Sequence, residues 1–363
     1  VFNKKYKLKN WYNLKCLIID EVSMMSLKIL LILDKIGRKL YNKPNIPFGG
    51  LQLIFSGDFY QLPPIKSNDT EKEASMFCFE HTLWNEIFPH NNQIVLKSIF
   101  RQDEKEFLKV LKYVRRGRIT HTTKETLEKR VFTIEKLNKL RQENVITIIS
   151  PYKKDTDNIN TYEYKKLSTN VEKRLYTIKY LKGSRKSELT LESEMNNLVF
   201  NSNSSLKNDY EFLANNIMAY KTLELKIGTH VMCIANISLD SDIQIANGSQ
   251  GIVIGFNNNL PIVKFNNIIE PILINYYNWN SELNKNVAVS QIPLIYAWAI
   301  TIHKSQGLSL DAAIMDIGTN IFEYGQTYVA LSRVRNLKGL YLSSFDYTKI
   351  CANPKVKKFY NDE

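Results

Sequence analysis

The sequence predicts an α/β fold built on parallel sheets, and three observations predict it. Four apolar residues, Cys16 to Ile19, run straight into two adjacent carboxylates, Asp20 and Glu21. A second apolar run, Leu51 to Phe55, ends at Gly57-Asp58. Between them lies a helical stretch, Ser26 to Tyr41, and Met24, Leu27, Leu30, Leu31 and Leu33 give it an apolar side. Short unbroken apolar runs are what strands buried on both faces need. A helix that separates two such runs lets them lie side by side in parallel. Val145 to Ser150 reads as another buried strand of this kind.

Composition narrows the class. The chain has 363 residues, room for two or three domains, and 44% of them are hydrophobic, enough for a sizeable core. The net charge of +13 suits a polyanion, because Lys and Arg release condensed counterions from phosphates. Charge alone does not single out nucleic acid, since many basic proteins bind none. Cys16, Cys78, Cys233 and Cys351 show no C-x-x-C spacing, and three of them, in apolar or strand-like context, read as reduced core residues of an intracellular protein. Cys78, His81 and His90 lack zinc-ligand spacing and read as structural. No apolar run approaches the length of a membrane span, and no signal-peptide pattern is present. The expectation is an intracellular protein; nuclear, mitochondrial and viral settings are not distinguished.

The two strand ends carry the chemistry. Carboxylates at the carboxyl end of such a strand sit at the ligand crevice of an open α/β sheet. In a nucleotide triphosphatase the first, Asp20, would hold Mg²⁺ and the second, Glu21, would polarise the attacking water. Taken alone, the pair reads equally well as a buried strand ending in a solvated acidic turn. Gln61 follows the second strand in a loop stiffened by Pro63 and Pro64. A Gln there can hydrogen-bond a γ-phosphate or its water.

These strings resemble the Pif-type (petite integration frequency) helicases of superfamily 1. IIDEVSM is similar to motif II of that family and GDFYQLPPI to motif III. Leu33 to Gln52 resembles the segment that sets Pif-type enzymes apart from other superfamily 1 helicases. SIFRQ (Ser98 to Gln102) resembles motif IV, YAWAITIHKSQGLSL (Tyr296 to Leu310) motif V, and YVALSRVRNLKGL (Tyr328 to Leu340) motif VI. Leu225 to Phe256 matches the segment that usually precedes motif V. The matches run in family order from about Trp11 to Leu342.

The resemblance implies an ATP- and Mg²⁺-dependent 5′-to-3′ DNA helicase with two RecA-like motor domains. It implies an incomplete first domain at 1–99 and a second domain opening at 100–170. An inserted subdomain at 171–286 would hold a small SH3-like β-barrel, and 287–363 would complete the second domain. Arg101 and Arg333 are implied as arginine fingers, and Gln306 and Gly307 as facing the nucleotide. Thr301, His303, Lys304, Ser305 and Asn160 are implied as DNA contacts. Phe59 and Tyr60 either stack on a base or pack between domains, and Arg335 either lies on a helix surface or supports Arg333. The expected partner is single-stranded or forked DNA, with no membrane and a monomeric state.

One family element is missing. No G-x-x-x-x-G-K-[ST] string, whose amides and Lys cradle phosphates, occurs in the chain. The nearest candidate, Gly183-Ser-Arg-Lys-Ser, lacks the spacing and the GK pair. The expectation is a fragment whose phosphate loop lies elsewhere, even on a separate chain, and which is inactive alone. A non-catalytic nucleic-acid-binding remnant is the alternative.

The remaining stretches are less patterned. Glu104 to Arg116 has Phe107, Leu108, Leu111 and Val114 at helical spacing, with a basic side read as solvated or as touching a DNA backbone. Ser150-Pro151 opens toward Lys153, Lys154 and Asn160. Tyr164 to Leu225 is polar, and Met195 to Tyr210 reads as a loop. Gly228 to Phe265 reads as short strands with a turn at Asn247-Gly248.

Overall fold

The structure, a computed structural model, describes residues 11–65, 72–182, 187–188, 204–239, 243–266, 268–281, 284 and 286–361. The chain divides into two compact units: Val1–Thr133 with Ile302–Gln306 and Met315–Glu363, and Ile134–Thr301 with Gly307–Ile314.

In the first unit, strand β1 (Cys16–Ile19) leads into helix α1 (Leu27–Leu40), which returns to strand β2 (Gln52–Phe55). The strands pair in parallel with Cys16 opposite Gln52 and Ile19 opposite Phe55. Past their ends the ladder continues as Ser56 N–H to Ile19 O at 2.8 Å and Val22 N–H to Ser56 O at 2.9 Å. Ser26 caps α1 with its side-chain oxygen. In the segment before β2, Asp34 accepts from Arg38 at 2.7 Å and from the Phe48 amide at 2.7 Å, fixing how the chain turns back.

The expectation that both faces of these strands are buried is corrected. Ile18 is 67% exposed and Ile54 46% exposed, whereas Leu17, Ile19, Leu53 and Phe55 pack against the core. Strand side chains alternate between faces, and the cluster of Val22, Leu27, Leu30, Phe48, Phe59 and Trp84 covers one of them. Helix α2 (Lys105–Arg115) buries Phe107, Val110, Leu111 and Val114. Further on come the helix Gln326–Leu331, the strand Leu340–Phe345 and the helix Pro354–Phe359.

The second unit opens on the helix Ile134–Glu143 and the strand Thr147–Ser150, which pairs in parallel with Ala299–Thr301. The helix Lys153–Lys166 lies between them in sequence. A five-stranded antiparallel sheet takes the order Ile272–Leu273, Leu260–Phe265, Gln250–Asn257, His230–Cys233, Leu294–Tyr296. Its core holds Val231, Val253, Val263, Phe265 and Leu294. The turn at Asn247-Gly248 is present, with Gly248 at φ 97°. A second turn that sequence reading passed over, Asn258-Asn259, has φ of 47° and 60°, as a two-residue hairpin needs.

The loop reading of Met195 to Tyr210 is corrected from Ser204 onward. Ser204–Asn216 is a helix whose Tyr210 and Ala214, at i and i+4, bury against Val287 and Val289. Its abundant Asn and Ser residues hid that spacing. Residues 195–203, and Gly183 to Lys186 of the nearest phosphate-loop candidate, lie outside the described residues. No helix among the described residues is long and apolar enough to cross a membrane.

Candidate active site

Asp20 stands at the tip of β1 with its carboxylate exposed to solvent. Its Oδ1 accepts from the Ser56 hydroxyl and from the Glu21 amide at 2.9 Å. The Ser56 hydrogen bond, then the Glu21 amide, hold its pKa below the usual carboxylate range. Ser56 was not singled out from the sequence, although it directly follows the second apolar run.

Glu21 adopts the left-handed conformation, φ 50° and ψ 44°, which a residue with a side chain rarely takes. Such strain persists where surrounding contacts over-determine it, and it clusters at functional sites. Here the turn is clamped by the Val22 to Ser56 hydrogen bond, and the Glu21 Oε2 accepts from Gln306 Nε2 at 2.9 Å. Gln306, expected to face the nucleotide, therefore meets the Glu21 carboxylate directly.

The Gln61 loop is anchored from three sides. Asp58 accepts two hydrogen bonds of 2.7 Å from Arg115 at the end of α2. The same carboxylate accepts from the Tyr60 amide at 3.1 Å, and the Asp58 carbonyl accepts from the Gln61 amide at 2.9 Å. Gly325 approaches so closely that a Cβ there would lie 2.4 Å from the Gln61 carbonyl oxygen. The Gln61 Oε1 is buried and has no hydrogen-bond partner among the described residues.

Arg333 is 2% exposed. It donates to Val329 O at 2.8 Å, to Ser305 O at 3.4 Å and to the Ser332 hydroxyl at 2.6 Å. Burial and the charge of Arg101 push its pKa down to about 10, while Tyr328 and Glu21 oppose that shift. Arg101, Glu21 and Arg333 thus share one electrostatic neighbourhood. Gln102, next to Arg101, is buried and donates to Ser332 O at 3.0 Å and Val334 O at 2.9 Å, tying SIFRQ to ALSRVR. Gln102, Asp58, Arg115 and Gly325 were missed as site residues because the partners that define them lie far away in sequence. Arg335 is exposed and lies on the surface.

Several expected DNA contacts are corrected. Phe59 is 5% exposed inside a ring cluster, 4.8 Å from Phe79 and 5.3 Å from Phe359. Tyr60 is 4% exposed, stacked on Tyr360 at 5.1 Å with Arg115 over its ring at 4.5 Å. Neither presents a face to a base. Asn160 is buried, and its amide is spent on both sides of Ala299, accepting from N at 2.9 Å and donating to O at 2.8 Å. It fastens its helix to the neighbouring strand. Ser305 is fully buried and donates to Ile302 O at 2.8 Å. Thr301 is buried, Lys304 is exposed, and His303 is half-buried, its pKa lowered by burial against the opposing charge of Glu323. Gly307, implied to face the nucleotide, follows Gln306 at the end of this segment. Its Cβ position is open space, and its φ of +80° is what requires glycine.

Comparison with known proteins follows these strings. The PIF1-like helicase profile matches residues 2–125, and that of the DNA helicase Pif1 2B domain matches residues 210–256. The ATP-dependent DNA helicase PIF1 of Xenopus laevis is 33% identical over 97% of this chain and 50% of its own length. The chain belongs to the PIF1-like helicases. It spans about half the length of the curated PIF1 relatives it matches. Among solved Pif1 structures, that from Bacteroides sp in complex with ADP-AlF4 superposes with TM-score 0.76 at 29% identity, over 99% of this chain and 77% of that one. Bacteroides Pif1 bound to single-stranded DNA gives TM-score 0.60 at 28% identity, with the same coverage. The α/β fold with parallel strand pairing is that of these Pif1 helicases.

Proposed function

We propose that this chain carries most of the motor of an ATP-dependent DNA helicase, which moves 5′ to 3′ along single-stranded DNA. The observation that carries the reading is the shared neighbourhood of Glu21, Arg101 and buried Arg333, beside Asp20 and the orphaned Gln61 oxygen. Phosphoryl transfer needs positioning and positive charge more than covalent chemistry, and these residues supply both. The relatives bound to ADP-AlF4 and to single-stranded DNA support the same reading.

The residues fit a Mg²⁺ ion shared with the nucleotide. Among the described residues no group of three or more His, Cys, Asp or Glu side chains is placed to hold a metal ion. A single ionised, exposed carboxylate such as Asp20 suits Mg²⁺, which keeps several waters and takes phosphate oxygens. Asp20 would hold the ion, which neutralises phosphate charge. Glu21 accepts a proton from the attacking water. Gln61 contacts the γ-phosphate, and Arg101 and Arg333 stabilise the charge that develops on it. No phosphate-binding loop string occurs in these 363 residues, so the motor reading requires a phosphate cradle to be supplied. The motor reading divides the chain at 1–99, 100–170, 171–286 and 287–363, with the strands between His230 and Leu273 as a small SH3-like barrel and the neighbouring strand Leu294–Tyr296 belonging to the last segment.

The test is to assay the protein supplied with a phosphate-binding loop on duplexes with 5′ or 3′ single-stranded tails. ATP hydrolysis should depend on single-stranded DNA, only the 5′-tailed duplex should unwind, and Glu21→Gln should abolish both activities. DNA binding with no hydrolysis above the Glu21→Gln background would leave a binding remnant in place of a motor.

A further inference from the structure

We propose that Gln306 is the positioning residue for Glu21 and completes the seat of the hydrolytic water. This inference rests on the ATPase reading above. Glu21 holds a strained left-handed backbone conformation at a strand end, and its side chain makes no capping hydrogen bond to the turn that follows. Gln306 supplies one: its Nε2 donates to Oε2 at 2.9 Å. Among the described residues nothing donates to the other oxygen, Oε1.

A second observation points the same way. The Gln306 Oε1 is buried and accepts no hydrogen bond. A buried amide normally satisfies both ends, and an unmet acceptor in a polar site costs roughly 1–3 kcal/mol. A water that donates one hydrogen to Gln306 Oε1 and the other to Glu21 Oε1 satisfies both acceptors together. Its lone pairs are then turned away from them, toward an incoming phosphate. In hydrolysis Glu21 Oε1 takes one proton, and the water oxygen bonds to the γ-phosphorus. The bond from that phosphorus to the bridging oxygen breaks, and ADP leaves with the bonding electrons. Gln306 keeps its proton on Nε2 throughout.

The role separates from simple packing. Gln306→Met keeps the side chain's length but loses both polar ends, and Gln306→Glu keeps the shape and sets a second carboxylate against Glu21. For the protein supplied with a phosphate-binding loop, both should lower DNA-stimulated kcat by about 10- to 100-fold, the loss of one hydrogen bond to a charged group. KM for ATP and the Kd for single-stranded DNA should stay within about twofold of wild type. Gln306→Glu should be the weaker enzyme, because like charges at one site disfavour ionisation. Amide hydrogen exchange at Val22, Met24 and Met25 should quicken in Gln306→Met, a readout that needs no turnover. A Met variant with wild-type kcat overturns the inference, as does one whose only change is a raised KM, which would make Gln306 a nucleotide contact. A wild-type protein without turnover fails the motor reading itself, and this inference with it.

Discussion

Asp58 and Arg115 are joined by two hydrogen bonds of 2.7 Å, Nε to Oδ2 and Nη2 to Oδ1. The pair ties the Gln61 loop to the end of α2, whose other end follows Arg101 and Gln102 in the chain. Burial works against the Arg115 charge, and the Asp58 carboxylate more than offsets it, so the guanidinium pKa is raised. A planar fork on a carboxylate, with an aromatic ring under its face, is an arrangement Lys cannot reproduce.

Arg115→Met should therefore cost more than a surface pair. Removing one partner of a fully buried pair costs about 3–5 kcal/mol. Asp58 and Arg115 keep 17% and 30% side-chain exposure, which places the loss nearer about 2 kcal/mol. Urea unfolding should show a lowered midpoint at constant slope. Asp58→Asn with Arg115→Met should recover part of the loss relative to Arg115→Met alone, because no unpaired charge remains.

Gly325→Ala should be harmful for a different reason. Its Cβ would lie 2.4 Å from the Gln61 carbonyl and 2.6 Å from that of Tyr60, and its φ of +76° is unfavourable for any side chain. Backbone strain and overpacking together predict a loss of roughly 2–4 kcal/mol. The helix Gln326–Leu331 begins at this residue and leads to Arg333, so the displacement reaches the arginine as well. In the protein supplied with a phosphate loop, kcat should fall while single-stranded DNA affinity holds. A stable variant with full turnover would show that the close approach has no functional weight.

The placement of the candidate site residues was legible where it is written in contiguous strings. The parallel pairing of β1 and β2 and the placing of Asp20 and Glu21 at a strand tip follow from local apolar runs and the residues that end them. Partners separated along the chain were not legible. The Phe59 amide meets Tyr360 across 301 positions, and Asn160 meets Ala299 across 139, so nothing local marks these side chains as already engaged. An aromatic after a Gly-Asp turn looks like a stacking platform until the helix that covers it is known. Arg115 looked like one basic residue among several on α2, because only the fold brings Asp58 to it. The helix Ser204–Asn216 was hidden by composition: two buried positions among Asn and Ser give a weak period.

Acid should destabilise the second unit through His230. Its ring stacks on Trp298 at 5.5 Å, and its Nδ1 is buried without a partner. Burial, helped by the charge of Arg141 and opposed by Glu163, lowers its pKa from 6.5 to about 4. Between those values the unfolded chain binds a proton that the folded protein refuses. Stability from this group is therefore whole above pH 6.5 and is lost as pH falls toward 4, by up to about 3 kcal/mol. Unfolding midpoints at pH 7.5 and 5 should differ less in His230→Phe than in wild type. An equal difference in both proteins would assign the acid sensitivity to other groups.

Single-stranded DNA should bind this chain without sequence preference and with strong salt dependence. The +13 net charge provides the long-range attraction. With Phe59, Tyr60, Asn160 and Ser305 buried, the expected contacts at ITIHKSQG narrow to Lys304, which is exposed, and the half-buried His303. Contacts of this kind go to phosphates, which position a strand without reading its bases. Affinity should fall linearly in a log–log plot against salt, with a slope of roughly −0.7 for each phosphate neutralised. Lys304→Ala should reduce that slope by about one such increment and weaken all sequences alike. His303→Ala should do less at neutral pH, because burial keeps the imidazole uncharged there and removes its share of the electrostatic attraction. Phe59→Leu should leave affinity unchanged at equal folded fraction, since its ring lies inside the aromatic cluster. Fluorescence anisotropy of labelled oligonucleotides of different sequence, from about 50 to 200 mM salt, measures all three. A slope that Lys304→Ala does not change would place the DNA path away from this segment. A large loss from Phe59→Leu in a folded protein would mean that the cluster opens to receive a base.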